Sequence, residues 1–173
     1  QQIQQNIEEY GYTVAASLDQ NKSKIGSLTE EALVRLKGQA DCILIEADGA
    51  KRLPLKVPGE WEPVIPDFTD LVVGVIGMDA VGQMIREICH RPERVAAFLN
   101  KEQPDPVTEA DVIRIAVSDK ALKKAVGRRP YKIFLNKTDL MGKYESAERI
   151  GKELQEQGVH AAWGSLQGRE YYR

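Results

Sequence analysis

This chain of 173 residues has only two cysteines, Cys42 and Cys89. Two thiols make at most one disulfide, and they fit reduced, cytosolic side chains better than a disulfide scaffold. No apolar run approaches the roughly 20 residues that a membrane span requires, and no signal-peptide pattern is visible. Charge of one sign is lacking as well. Twenty-four basic residues against 26 acidic ones give a net charge of −2, which offers nucleic acid and anionic membranes no electrostatic attraction. Glycine-rich phosphate cradles are missing too: neither Gly-x-x-x-x-Gly-Lys-Ser/Thr nor Gly-x-Gly-x-x-Gly occurs. Cys89-His90 has no second pair at zinc spacing. His90 therefore reads as a surface residue after a helix end and His160 as a structural strand residue. A Cys89–His90 nucleophile pair would still need an oxyanion donor that the sequence does not name.

What is present is an ordinary globular composition, 42% apolar and 29% charged, with enough length for one well-packed domain over residues 1–173. The pattern predicts helices over residues 1–10, from the capping-box spacing Ser27–Glu30 to Lys37, 80–88, from Pro92 through Leu99, from Thr108, and 144–157. Strands are predicted over residues 12–18, 42–47, 71–76, 131–135 and 159–163. Four of the eight prolines fall between Pro54 and Pro66, which predicts a stiff extended loop there. Unbroken hydrophobic strands alternating with helices predict an α/β fold, a mainly parallel sheet with helices on both faces. In such sheets ligands sit at the carboxyl ends of the strands. The polar signatures fall there: Glu46-Ala47-Asp48-Gly49, Asp79, Asn136–Asp139 and Gly164-Ser165.

Three of these carry chemistry. Asn136-Lys137-Thr138-Asp139 directly follows the apolar Phe134-Leu135. A carboxylate at Asp139 would accept two hydrogen bonds from the ring N–H and amine of guanine, a donor pair that adenine lacks. Lys137 would lie along the base, and the Asn136 amide would tie neighbouring loops. Ser165, one helix and one strand downstream, would support the base. In Glu46-Ala47-Asp48-Gly49-Ala50-Lys51-Arg52, a strand-end carboxylate suits Mg²⁺. Asp48 is the first candidate for the catalytic, metal-linked acid and Glu46 the second. Gly49 would let backbone approach a phosphate, and Lys51 and Arg52 would contact phosphate or an acidic substrate.

The stretches IEADGAKRLPLKVPGEWEPVIP, VVGVIGMDAVG, ICHRPERV and FLNKTDL, with the helix start at Thr108–Asp111, resemble the YqeC-type proteins, selenium-dependent hydroxylase accessory proteins. Glu46–Pro54 is also similar to the strand end of molybdenum-cofactor GTP-binding adaptors. The resemblance implies a P-loop NTPase-like three-layer sandwich, with the phosphate-loop segment expected upstream of Gln1. It also implies a bacterial cytoplasmic role in maturing selenium-dependent molybdenum hydroxylases.

The combined expectation is a nucleotide-binding protein, a GTPase using Mg²⁺ and GTP (or ATP), that assists selenium or molybdenum cofactor insertion. Its partner would be a molybdenum hydroxylase or a cofactor-carrying protein. One rival is a non-enzymatic adaptor or chaperone contacting its partner through the Pro-rich segment and Trp61. Another is a kinase or transferase with a substrate pocket beside Lys51 and Arg52.

Overall fold

The computed structural model describes residues 2–18, 25–168 and 170–172. They fall into two compact units, Gln1–Glu46 and Ala47–Arg173. In the first, α1 (Gln2–Tyr10) is closed by Gly11, whose φ of 78° only glycine adopts freely and whose N–H reaches the Ile7 carbonyl at 2.9 Å. The strand expected over 12–18 contracts to β1 (Ser17–Leu18), paired antiparallel with β2 (Ile25–Gly26). Helix α2 (Glu30–Lys37) is capped by Thr29, which accepts from Ala32 N. Acids in its first turn and bases in its last complement the helix dipole.

The segment expected as a buried strand over 42–47 is not one. It has no strand pairing, and Leu44 is 93% exposed. A buried strand needs a paired neighbour on its edge, and the first unit's described residues offer only the two-residue hairpin.

The second unit is built on a four-stranded sheet of order β4 (Val72–Gly77), β6 (Tyr131–Asn136), β7 (His160–Ser165), β8 (Glu170–Tyr172). The first three strands are parallel and β8 runs antiparallel to β7. A separate parallel pair joins β3 (Leu55–Lys56) to β5 (Cys89–His90). The fold class is therefore α/β with parallel sheets and helices. Alternation along β6 turns Ile133 and Leu135 into the core, where they meet Ile76, Ile115, Ile150, Leu154 and Trp163. Each such side chain contributes about 1.5–3 kcal/mol by leaving water. On the other face of β4, Val73 and Val75 stay half exposed.

Helix α6 (Lys143–Glu156) packs on β7 so closely that a Cβ on Gly151 would lie 2.5 Å from the Trp163 ring. Helix α5 (Glu109–Val117) packs against α6. It opens with a full capping box, Thr108 and Asp111 each serving the other's backbone N–H. Pro92 opens α4 (Pro92–Leu99) as its spacing predicts. The helix expected over 80–88 is divided into a 3₁₀ turn, Met78–Ala80, and α3 (Ile85–Ile88), because Gly82 takes φ 84° and turns its N–H to the Val107 carbonyl. The proline-rich stretch is not merely a surface loop either. Leu55 and Val57 are core residues, and two-residue β3 is too short to register as a periodic pattern. No helix among the described residues is long and apolar enough to cross a membrane.

Candidate functional site

Register fixes which loops leave the sheet together. Gly77 is level with Asn136, and Leu135 with Trp163, so the segments after β4, β6 and β7 emerge at one end. Lys137 takes a left-handed φ of 67°, which turns the chain sharply out of β6. Asn136 Oδ1 accepts from its neighbour's N–H at 2.9 Å and from Leu166 N, beyond β7, at 3.2 Å. Thr138 N donates to the Gly164 carbonyl, and Ser165 Oγ accepts from Gly168 N. The two loops are thus sewn together through Asn136. Lys137 Nζ crosses to Asp79 Oδ2 at 2.5 Å. Asp139 is left exposed, with no hydrogen bond or ion pair on its carboxylate among the described residues. Ser165 is buried and its hydroxyl is taken by Gly168 N, so the backbone contacts to this loop come from its neighbours Gly164 and Leu166.

The Asp48 loop has the opposite character. Asp48 and Gly49 both receive the ammonium of Lys56, which is 6% exposed. The same ammonium lies 3.4 Å from Glu62, and Arg91 clamps Glu62 with two parallel bonds of 2.6 and 2.8 Å. Gly59 N also donates to Glu62. The Arg91 fork holds the Glu62 carboxyl at about 2, far below its ordinary range. Burial pushes the Asp48 carboxyl upward, against the pull of Lys56. Lys51 and Arg52 are both exposed on consecutive left-handed residues, φ 51° and 64°. Two such non-glycine residues in a row cost on the order of 1 kcal/mol each. Glu46, last residue of the first unit, is exposed.

His90 is not the surface residue its sequence context suggests. It is 8% exposed and pairs with Lys56 across the β3–β5 register. Burial, and then the charges of Arg91, Lys56 and Lys51, lower its pKa, so the imidazole is neutral near pH 7. Cys89 beside it is buried, and its thiol is pushed up to about 12 by burial and then by Asp111, which removes it as a nucleophile.

Asp48 and the Asn136 turn belong to one stretch of structure. Gly77 N donates to the Pro54 carbonyl at 3.0 Å, and a Cβ on Gly77 would press on both Asp79 and Pro54. Asp79 in turn holds Lys137. The run from the Asp48 loop through Pro54, Gly77 and Asp79 to Lys137 is therefore continuous. Sequence reasoning placed Asp79 at a strand end without a role, and missed Lys56, Glu62 and Arg91. The two acids and two bases of Asp48–Lys56 and Glu62–Arg91 lie too far apart in sequence to form a motif.

For Mg²⁺, Asp48 offers one carboxylate oxygen pair that already carries Lys56. Among the described residues no group of three His, Cys, Asp or Glu could hold a metal. Near this turn, the Asp79 Oδ1 acceptor is buried without a partner while Oδ2 holds Lys137. This donor set does not fit a cage of protein ligands; it offers a cation a single assisting carboxylate, with the remaining ligands to come from elsewhere.

The family described as YqeC protein matches residues 1–93. The chain is 28% identical over 152 residues to "Uncharacterized protein YqeC" of Escherichia coli (strain K12), an alignment covering 85% of this chain and 59% of that protein. It thus spans less than two thirds of that relative's length. No solved structure matches. With more than half of its residues matched to the family, the chain belongs to the YqeC family.

Proposed function

We propose that this chain belongs to a P-loop NTPase-like protein, a GTPase, and reads the guanine base. We further propose that it serves in the cytoplasm as an accessory factor in maturing selenium-dependent molybdenum hydroxylases. The observation that carries the nucleotide reading is the Asn136 junction. One amide oxygen joins the β6 and β7 loops and leaves the Asp139 carboxylate open to solvent. Such a carboxylate accepts two donors from guanine, and adenine would set its own ring acceptor against it. Lys137 would lie along the base once it leaves Asp79, and Ser165 would brace the loop. Lys51 and Arg52 would contact phosphate or substrate. Asp48, with Glu46 as the second candidate, would be the acid that assists a phosphate-borne Mg²⁺. Magnesium, when bound, would neutralise phosphate charge. The chain's own part is to position base and phosphates. The selenium role rests on the resemblance of Glu46–Pro66 and on family membership.

Titration of the complete protein with GTP, ATP and XTP tests this. We expect GTP to bind roughly 100-fold tighter than ATP, as two charge-assisted hydrogen bonds warrant on an exposed site. Asp139→Asn should turn the preference toward XTP. Equal affinities for GTP and ATP would remove the base-reading assignment. A non-enzymatic adaptor reading is favoured by one observation, the exposure of Trp61 (88%) and Val64 (68%) next to the Glu62 clamp. Partner capture that ignores nucleotide would select it.

A further inference from the structure

The network around Lys56 has more positive charge than its acids can answer. Asp48 is answered by Lys56, and Glu62 by Arg91. Lys51 and Arg52 remain exposed, with no ion pair or hydrogen bond among the described residues. His90 lies level with Lys56 across two strands and precedes Arg91 directly, so imidazole, ammonium and guanidinium share one corner. Arg91 takes left-handed φ and ψ of 56° and 65° as the residue before α4, which turns its guanidinium back toward Gly59 and Glu62. Lys124 fastens the same corner from below, donating to the Gly59 and Glu60 carbonyls at 2.5 and 2.9 Å.

The Glu62 clamp shows what this corner is shaped to hold. A planar guanidinium making two parallel bonds presents the same fork to a phosphate as to a carboxylate. Arg91 is about one-third exposed and Glu62 about one-quarter, whereas Lys56 is nearly sealed. The pair can therefore open to solvent, and an anion that takes the place of Glu62 in the Arg91 fork sits where Glu62 does, 3.4 Å from the Lys56 ammonium. We propose that Lys51, Lys56, His90 and Arg91 form a binding site for a tetrahedral oxyanion of the phosphate-monoester class, with Glu62 as the internal carboxylate that occupies the Arg91 fork when no ligand is bound. The neutral imidazole supplies a hydrogen bond without adding a further charge to the three cations. This site takes a substrate group rather than the nucleotide, and it does not rest on the guanine reading.

The test is calorimetric titration of the complete protein with inorganic phosphate, repeated with a simple phosphomonoester. Wild type is expected to bind both. Lys51→Met, at an exposed residue with no partner to disturb, should weaken binding about tenfold, the worth of one charge-assisted contact. Glu62→Gln should tighten it, because the competing carboxylate and its repulsion are gone. A structural role alone does not produce that sign. Saturating GTP should leave the phosphate isotherm unchanged. The proposal is overturned if wild type binds no phosphate, if Lys51→Met binds like wild type, if Glu62→Gln weakens binding, or if GTP displaces phosphate. A protein that binds phosphate but not GTP would lose the guanine assignment and keep this one.

Discussion

The Asp48 network and the Asn136–Asp139 turn lie within one unit yet treat their carboxylates in opposite ways. Asp48 and Glu62 are clasped by Lys56 and Arg91 and largely withdrawn from water. Asp139 stands free in solvent, while the amide and ammonium beside it are fixed by Leu166 and Asp79. In the first region charge maintains structure, and a ligand must compete with internal partners. In the second, structure is maintained by neighbouring groups so that one charge stays available. The two regions should therefore separate cleanly when stability and binding are measured side by side.

The largest effect is expected from Lys56→Met. Removing the ammonium leaves Asp48 buried without its cation and Glu62 with one fewer, and breaking a buried pair costs about 3 kcal/mol or more. Urea unfolding should show that loss, against a change within about 0.5 kcal/mol for Asp139→Ala at its exposed position. Comparable losses for the two variants would dissolve the distinction between the regions.

Gly77→Ala attacks the link between them. The new methyl would press on Asp79 and come within 2.6 Å of Pro54 Cβ. Relief requires the Pro54 backbone or the Asp79 side chain to move, at about 1–3 kcal/mol. Because Asp79 holds Lys137, base selectivity should fall along with the unfolding midpoint. A variant that loses stability and keeps full discrimination between GTP and ATP would show that the two regions are mechanically separate.

These outcomes bear on how far residues alone disclosed the molecule. Strands β4, β6 and β7 were legible because their hydrophobic runs are bounded by polar turns. The capping box at Thr108 and Pro92 at the first turn of α4 were legible because they are local chemistry. The same rule misread Cys42–Ala47, since hydrophobicity says that a segment prefers burial but not that a partner edge exists for it. The Pro54–Pro66 stretch hid Leu55 and Lys56, because a two-residue strand leaves no periodicity. In the site, the Asn136 turn could be read from four contiguous residues. The Lys56–Glu62–Arg91 clamp could not, since Arg91 lies 29 positions from Glu62 and only the β3–β5 pairing brings them together. The β8 strand was unmarked by any pattern of its own.

The smallest effect is a difference in acid sensitivity within the clasped region. Glu62 titrates at about 2 in the folded chain against an ordinary 4.5, because Arg91 and the Gly59 N–H favour its charged form. A depressed carboxylate contributes stability that is fully present above its unfolded value. That contribution drains away as pH falls from about 4.5 toward 2. Asp48 works the other way. Burial raises its pKa, so its ionised form is the disfavoured one and acid does not remove stability through it. Urea midpoints of wild type and Glu62→Gln should therefore differ most at neutral pH and converge as pH approaches 2, with wild type the more stable at the start. Parallel curves over that interval would mean that Arg91 does not set the charge of Glu62. The contrast between a clasped acid and a free one would then rest on Lys56 alone.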